Sequence, residues 1–502
     1  MIVLYGLALL KFLLPFFAHS EFEFHRDEFL YIAMGRHLDW GYLENPPLIG
    51  LIAYLSQLLF GDALWALHFF PALTGAAVVI LIGLMARELG GGRFAQALAA
   101  FSYIMAPAFL RTNTLFQPVC FDQLAWVLVA YLFILILKKE TPSRWLALGV
   151  ALGVGLLTKY TMLLFGFALL VSLLFTPARR MLASKWPWIA ATIAFVLLLP
   201  NLIWQHAQGW PVIEHMQTLS RNQLAHVEPA GFLLMQLLMS FAAFPVWMLG
   251  LYFYFSKPGQ AFRAIGWGYL VSFLLLLCFS GKAYYLLPAY PMLFAAGGVV
   301  LERYVARTQR WWLRPAALGF IFSFNLIGLP YGIPLLSVAR FQTYAAFMAS
   351  HMGMAEPLRW EDGKLHRIPQ DYADMLGWEN QAATVAKIYN KLAPEERERC
   401  VILASNYGEA GALAYHAKKY GLPQVISYHG SFYLWGPGRA AKEILLTVGL
   451  DAEDLQPHFQ QIELAATITH PHARENAVPI MLCRNAHVSL QEVWPRLARA
   501  RF

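Results

Sequence analysis

The sequence predicts a polytopic α-helical membrane protein that carries one soluble α/β domain at its C-terminal end. Of the 502 residues, 58% are hydrophobic and only 14% are charged, whereas soluble domains carry about 25% charged residues. The mean hydropathy is +0.49, and long apolar stretches alternate with short basic loops as far as about residue 335. The apolar excess must therefore face lipid over most of the chain.

The basic loops predict how often the chain crosses the membrane. They are marked, together with neighbouring cations, by Arg87, Lys138, Arg179, Lys257 and Arg303. If every basic loop faces the cytoplasm, each apolar interval between two loops must hold an even number of spans. Counting a first span in residues 1–18 and a last one in 316–335, we expect about 11 spans. The net charge of +8 then comes from basic loops that set the orientation of the chain in the membrane, and it does not indicate a basic surface that binds nucleic acid.

Three cations are predicted at the outward ends of spans. One apolar interval is expected to turn at Thr158-Lys159-Tyr160, because a lysine at the centre of a span costs about 2.5–3.5 kcal/mol. Another is expected to turn at Ser280-Gly281-Lys282, and Arg111 opens a third turn. Cations at membrane depth pair with an anion such as a lipid phosphate or line a cavity. The alternative is that these long side chains reach towards the interface.

The first outward loop, residues 21–62, mixes acidic, aromatic and apolar residues. The spacing of apolar residues predicts a helix over His25–Leu38. A second helix over Leu48–Phe60 is expected to lie in the interface, since Gly61-Asp62 follows too soon for a full span. The loop is therefore predicted to hold interfacial helices.

The acidic residues of this loop are the candidates for proton transfer. Asp27 and Glu28 are adjacent, and Glu44 precedes Asn45-Pro46-Pro47. A carboxylate at such a place can accept a proton from an attacking hydroxyl, and the prolines stiffen the chain after Glu44. The alternatives are a solvated charged helix face for the first pair and a proline-capped turn for Glu44.

Two further polar residues are candidates because of where they lie. Asp122 falls just inside a predicted span, where an acid is functional or forms a structural bridge to Arg111 or Lys159. His206 belongs to the aromatic and polar loop Trp204–Pro211, which is also typical of an interfacial aromatic belt.

The hydrophilic tail predicts one α/β domain over residues 336–502, after a membrane domain over 1–335. Short buried-type strands are expected at Val401–Ala404, Gln424–Ser427, Ile444–Val448 and Pro479–Cys483, with a helix over Glu409–Lys418. This alternation favours a mixed or parallel sheet. A disulfide between Cys400 and Cys483 can form if the tail faces an oxidising compartment, and the sequence does not decide whether it does.

Taken together, these motifs resemble those of the GT-C glycosyltransferases, in particular the protein O-mannosyltransferase-like family and the bacterial lipid A aminoarabinose transferases. The similarity covers roughly residues 1–335 and lies in the order and spacing of three motifs. These are Asp27-Glu28 with Tyr31, Glu44-Asn45-Pro46, and Gly281-Lys282 with Tyr285 and Pro288. Asn45 stands where the aminoarabinose transferases have lysine, so an identical phosphate contact does not follow.

The resemblance implies an inverting transfer of a sugar from a polyprenyl phosphate-linked donor to an acceptor hydroxyl at the outer face of a membrane. It implies Asp27, Glu44 and Glu28 as catalytic residues. Lys282 and Tyr285 match positions that line the lipid-phosphate pocket. The other substrate-binding candidates are Lys159, Arg111, Tyr31, Asp122 and His206. The acidic side chains and the cationic helix ends are expected to meet around one lipid headgroup.

The resemblance also implies the setting of the reaction. We expect a bacterial inner membrane protein with its tail in the periplasm, and a lipid, glycan or protein acceptor. No cofactor is expected, and a divalent metal is optional. The competing prediction is a transporter or lipid flippase, which would place its charges near the bilayer midplane and show paired repeats and broken helices.

Overall fold

The computed structural model describes residues 2–222, 224, 227–438 and 444–501. These residues form two compact units. The first comprises Met1–Phe17, Asn45–Ile49 and Trp65–Ile333. The second comprises Ala18–Glu44, Gly50–Leu64 and Pro334–Phe502. The second unit thus adds two pieces of the first outward loop to the tail, whereas the predicted domain boundary at 335/336 stays a prediction.

Helices make up nearly all of the first unit. From the N-terminus to residue 332 the α-helices are α1 (Ile2–Leu13), α2 (Arg26–Arg36), α3 (Leu48–Phe60), α4 (Leu64–Glu88), α5 (Arg93–Met105), α6 (Pro107–Thr114), α7 (Pro118–Lys138), α8 (Pro142–Thr158), α9 (Thr161–Leu174), α10 (Trp186–Ala207), α11 (Pro211–Asn222), α12 (Pro229–Ser240), α13 (Phe244–Phe255), α14 (Arg263–Cys278), α15 (Tyr290–Thr308) and α16 (Leu313–Gly332). Of these, α2 and the part of α3 from Gly50 onwards belong to the second unit.

The apolar helices make the chain an integral membrane protein. Seven helical stretches in the described part of the chain are long and apolar enough to cross a membrane. They are Leu64–Glu88, Pro118–Lys138, Trp186–Ala207, Pro229–Phe255, Lys257–Cys278, Ala283–Thr308 and Leu313–Gly332. A pair bent by 109°, α9 with the 3₁₀ helix Pro177–Ala183, would make eight. Three shorter apolar helices add to these, and the predicted total of about 11 spans stays a prediction.

The helices break at the predicted polar turns. Helix α8 ends at Thr158 and α9 begins at Thr161, so Lys159 lies in the turn between them. Helix α14 ends at Cys278, and Lys282 directly precedes the 3₁₀ helix Ala283–Ala289.

The predicted first span begins at residue 1, and the predicted break over 205–229 includes residues 223, 225 and 226. These four residues lie outside the described ones.

The second unit contains a five-stranded mixed sheet. Its strands are β1 (Cys400–Ala404), β2 (Val425–Ser427), β3 (Ile444–Val448), β4 (Phe459–Ile468) and β5 (Val478–Ala486), in the order β2-β1-β3-β5-β4. The tail helices are α17 (Val338–Met352), α18 (Gln370–Ala373), α19 (Trp378–Tyr389), α20 (Pro394–Glu398), α21 (Tyr407–Tyr420), α22 (Phe432–Trp435), α23 (Ala452–Leu455) and α24 (Leu490–Leu497).

Four of the five strands lie where the sequence predicts them, and β4 was missed. The strands β2, β1 and β3 are parallel, and β5 pairs antiparallel with both β3 and β4. Strand β4 lies at the edge and is mostly exposed or half-buried, so its sequence lacks the apolar run that marks a central strand.

The two tail cysteines are free and buried. Cys400 lies on β1 and Cys483 on β5, and β3 pairs with both strands between them. Two strands that flank a third are about 9.5 Å apart, whereas a disulfide needs Cα atoms closer than about 7 Å. The disulfide left open by the sequence therefore does not form in this fold.

The contact between α2 and α21 places the acidic motif against the sheet domain. A Cβ atom at Gly411 would lie 2.7 Å from the Cβ of Phe29, and one at Gly408 would lie 2.5 Å from the Cγ of Arg26. Phe29 itself is buried, with its ring 5.7 Å from that of Trp378. The two glycines therefore let the helices approach closely at the start of α2.

The substitution Gly411→Ala tests this packing. We expect it to destabilise the second unit by about 1–3 kcal/mol, because the added methyl group must displace the α2 backbone. Thermal unfolding of the purified protein in detergent measures the change. Gly319→Ala is the control: it lies in α16 with open space around the added methyl group, and an equal loss in both variants would contradict the packing argument.

Candidate functional site

The first turn of α2 separates the two adjacent acids. The backbone N–H of His25 donates a hydrogen bond to the Glu28 carboxylate at 2.8 Å, and the His25 ring accepts one from the Asp27 N–H at 3.2 Å. Together these contacts form a capping box. Glu28 is fully buried. This geometry assigns Glu28 to the start of the helix, and the catalytic role predicted for it gains no support.

Asp27 is held by the tail. The Tyr407 hydroxyl donates a hydrogen bond to Oδ1 of Asp27 at 2.8 Å, and the Arg26 guanidinium lies 4.9 Å from the centre of the Tyr407 ring. The Asp27 side chain keeps 29% of its surface exposed. It is therefore a partly exposed carboxylate that accepts a hydrogen bond from Tyr407, and a general base needs such access to the proton it removes.

Glu44 is bound through both of its carboxylate oxygens. The backbone N–H of Ser431 donates to Oε1 at 2.8 Å, and the Ser431 hydroxyl donates to Oε2 at 2.5 Å. Burial raises the pKa of Glu44 and the Asp27 carboxylate adds to the rise, while the hydrogen bonds from Ser431 oppose it. This coupling places the two acidic motifs in one electrostatic cluster.

Residues of the tail that were not predicted as site residues complete this acidic cluster. Burial and the Asp27 carboxylate raise the pKa of Tyr407, so its hydroxyl stays a donor. Burial and the nearby Glu475 raise the pKa of Glu409 to about 8. Burial and Arg26 lower the pKa of His429 to about 4. Near neutral pH, Glu409 is therefore mainly protonated and His429 neutral.

A second cluster, in the first unit, surrounds Lys159. Its ammonium lies 4.7 Å from the ring centre of Tyr285 and 5.3 Å from that of Tyr284. It attracts the Asp122 carboxylate and repels Lys282. Asp122 is only 2% exposed and accepts a hydrogen bond from Thr161 at 2.8 Å. The Lys159 ammonium thus attracts Asp122, and the structural bridges that the sequence left open for Asp122 stay predictions.

A buried amide pair lies beside this cluster and was missed by the sequence analysis. Tyr160 donates to Asn201 at 2.8 Å and accepts from Gln205 at 3.2 Å. Both amides are at most 1% exposed. The sequence feature that could have identified the two amides is their position in the apolar helix α10, where a buried polar side chain needs a hydrogen-bond partner.

Three predicted site residues have other surroundings. His206 is exposed, and its ring lies 6.1 Å from that of Trp210, so its neighbour Gln205 is the residue that faces the cluster. Tyr31 is buried within α2. Arg111 is half-buried in the last turn of α6. The substrate-binding roles of these three residues stay predictions.

The two clusters have complementary chemistry. The acidic cluster presents one accessible carboxylate and one carboxylate clamped in place, which suits proton removal from a hydroxyl. The Lys159 cluster holds one ammonium group beside two aromatic rings and a second ammonium, that of Lys282, which repels it, and such a pair of cations suits a phosphate. Each cluster lies within its own unit, and their predicted meeting around one headgroup stays a prediction.

The amino-acid sequence matches a known family over part of its length. Residues 44–204 match the family model described as dolichyl-phosphate-mannose-protein mannosyltransferase. Lipid A galacturonosyltransferase RgtD from Rhizobium johnstonii is 26% identical over 44% of this chain and 46% of its own. An undecaprenyl phosphate-α-4-amino-4-deoxy-L-arabinose arabinosyl transferase from Pseudomonas fluorescens is 27% identical over 54% of this chain and 52% of its own. The chain thus matches about half the length of these relatives.

The fold matches a solved structure over nearly its whole length. ArnT from Cupriavidus metallidurans, crystallised with undecaprenyl phosphate, superposes with a TM-score of 0.59 at 15% identity and covers 96% of this chain and 97% of its own. An oligosaccharyltransferase from Archaeoglobus fulgidus superposes with a TM-score of 0.51 at 13% identity, over 82% of this chain and 63% of its own. The predicted GT-C type of fold, with an added C-terminal sheet region, is confirmed.

A double substitution tests the pairing of Asp122 with Lys159. We expect Asp122→Asn to destabilise the protein by about 3 kcal/mol, because it leaves a buried ammonium without its carboxylate. Adding Lys159→Met should restore part of that loss, which thermal unfolding of the single and double variants in detergent measures. Strictly additive effects of the two substitutions would contradict the pairing.

Proposed function

We propose that this chain, a GT-C-type protein by its fold and by the family match, is an integral membrane glycosyltransferase. It moves a sugar from a polyprenyl phosphate-linked donor to an acceptor hydroxyl. The name of the arabinosyl transferase relative supports a lipid-linked donor. The names of RgtD and of a lipopolysaccharide core galacturonosyltransferase, 32% identical over 24% of this chain, make lipid A and lipopolysaccharide core the first acceptors to test. We further propose that the enzyme works at the outer face of a bacterial inner membrane, with its tail in the periplasm.

The observation that carries this proposal is the Lys159 cluster. Two ammonium groups that repel each other, Lys159 and Lys282, lie in a unit built from apolar helices. Burial and the Lys282 ammonium also lower the pKa of His215. A lipid phosphate at this place lowers the repulsion and gains charge-assisted hydrogen bonds. The same two cations stabilise the negative charge that grows on the phosphate as it leaves.

The acidic cluster supplies the other half of the reaction. The acceptor oxygen attacks the anomeric carbon, the bond from that carbon to the phosphate oxygen breaks, and the polyprenyl phosphate leaves with the electron pair. Asp27 takes the proton of the acceptor hydroxyl. Glu44 accepts a hydrogen bond that orients the acceptor. A single displacement of this kind inverts the anomeric configuration and needs no nucleophilic residue of the enzyme.

An assay in proteoliposomes tests the activity itself. Radiolabelled polyprenyl phosphate sugars, including aminoarabinose and galacturonic acid, are supplied with lipid A or with a lipopolysaccharide core acceptor. The proposal predicts a labelled acceptor with inverted anomeric configuration. Movement of the labelled lipid between leaflets without any transfer would instead support a flippase.

The substitution Asp27→Asn tests the base. We expect folded protein that binds the donor but transfers sugar at least about 100-fold more slowly, since the amide cannot take the proton. Transfer rates and donor binding are measured on the same preparation. Asp62→Asn removes an exposed carboxylate of the second unit and serves as the control, with activity expected near that of the unmodified protein. Normal turnover by Asp27→Asn would remove Asp27 from the mechanism.

The substitution Lys282→Ala tests the phosphate contact. We expect donor binding to weaken by about 10-fold or more, because a charge-assisted hydrogen bond contributes about 1.5–3 kcal/mol. Binding of polyprenyl phosphate measured over a salt series provides the readout. Lys139→Ala, at an exposed position, is the matched control. An unchanged donor affinity in Lys282→Ala would count against the phosphate role.

A further inference from the structure

We propose that Tyr407 and Ser431 are positioning residues of the reaction: Tyr407 holds the Asp27 carboxylate and Ser431 holds the Glu44 carboxylate. Both residues lie in the tail, more than 370 positions after the acids they contact. The tail would then be a working part of the acid site and not only an appended domain. This inference rests on the proposed function.

Ser431 clamps Glu44 with two donors from one residue. Its backbone N–H and its hydroxyl each bind a different carboxylate oxygen. The hydroxyl oxygen also accepts a hydrogen bond from the Leu43 N–H at 3.0 Å, and Ser431 is fully buried. A buried residue that donates to both carboxylate oxygens in this way holds the carboxylate in one orientation.

The residue before Ser431 allows the close approach. Gly430 has φ +62°, and a Cβ atom there would lie 2.2 Å from Oε1 of Glu44. A side chain at this position would therefore push the carboxylate off its two donors. The backbone of the loop after β2 is shaped around the Glu44 side chain.

Tyr407 is itself held by two neighbouring side chains. The Arg26 guanidinium lies over its ring, and the His429 ring stacks on it with centroids 5.3 Å apart and an angle of 30° between the planes. Arg26 is in turn paired with Glu475 at 3.6 Å. These contacts with the ring orient the Tyr407 hydroxyl towards Oδ1 of Asp27, and part of the carboxylate stays exposed for the acceptor.

Precise placement of this kind acts on the rate of the chemical step. Misplacing a reacting group by about 1 Å can cost about 100-fold in rate. Removing a hydroxyl that only orients an acid should therefore lower kcat and leave the KM for the donor nearly unchanged. A hydroxyl that only stabilises the fold would change the amount of folded protein and not the kinetics of the folded fraction.

The first experiment uses Tyr407→Phe in the full-length protein. We expect kcat to fall about 10- to 100-fold with the donor KM changed less than about twofold. Tyr420→Phe is the matched control, because Tyr420 lies at the other end of α21 and also donates to a carboxylate, that of Glu379, at 2.8 Å. Equal kinetics in the two variants would overturn the role of Tyr407.

The second experiment uses Ser431→Ala and the pH dependence of kcat. The Ser431 hydroxyl favours the ionised form of Glu44, and the ionisable groups that face Glu44 are Asp27 and Tyr407. Losing the hydroxyl raises the pKa of Glu44 further. Because the ionised form is the active one, the acidic limb of the pH profile should move to higher pH. An acidic limb that does not move would overturn the role of Ser431.

Ser405→Ala is the control for this pH shift. Its hydroxyl donates to the Glu409 carboxyl at 2.8 Å, so the same type of contact is lost. Since the pKa of Glu409 is already about 8, a further rise leaves its charge near neutral pH almost unchanged. The acidic limb should therefore stay in place.

The experiments separate this inference from the proposed function. If Asp27→Asn is inactive while Tyr407→Phe and Ser431→Ala both behave like the unmodified protein, only the positioning roles fail. If Asp27→Asn retains full transfer, the proposed mechanism itself fails. Should one of the two variants not fold, the other still decides whether the tail orients an acid.

Discussion

The free-energy cost of removing charged groups from water determines how charged side chains are arranged in both units of this protein. An unpaired buried charge costs several kcal/mol, so the charged side chains occur in compensated sets. In the first unit the Lys159 ammonium lies near two aromatic rings and is attracted by the Asp122 carboxylate. In the second unit the Glu44 carboxylate has the two donors of Ser431. Each set gives its members a defined orientation, which is what a reaction site needs.

The same constraint gives two adjacent acids different tasks. Glu28 occupies the third position of α2, from which its carboxylate reaches back to the N–H of His25 and is buried. Asp27 precedes it by one residue and points to Tyr407 while keeping part of its surface exposed. The rotation of about 100° between successive residues of a helix thus separates a structural carboxylate from one that a substrate can reach.

Local patterns in the sequence located many of the elements. The helix Leu48–Phe60 and the breaks around Lys159 and Lys282 lie where apolar runs meet polar or helix-breaking residues. The sequence does not predict strand β4, because the strand lies at the sheet edge and half of its residues are exposed to water. His206 was chosen over Gln205 because a loop was expected there, whereas the helix continues and turns Gln205 inwards. The sequence predicts a feature correctly where the feature depends on residues close together in the chain, and it fails where the feature depends on contacts between distant residues.

The sequence by itself determined the membrane character, the polar turns, the α/β tail and the two acidic motifs. These properties depend on hydropathy, charge and helix breakers within windows of some 20 residues. Only the tertiary structure decided which acid stays accessible, that Lys159 attracts Asp122, and that Tyr407 and Ser431 bind the acids. Those contacts join residues up to 387 positions apart, and no local pattern specifies a partner that chain folding alone brings near.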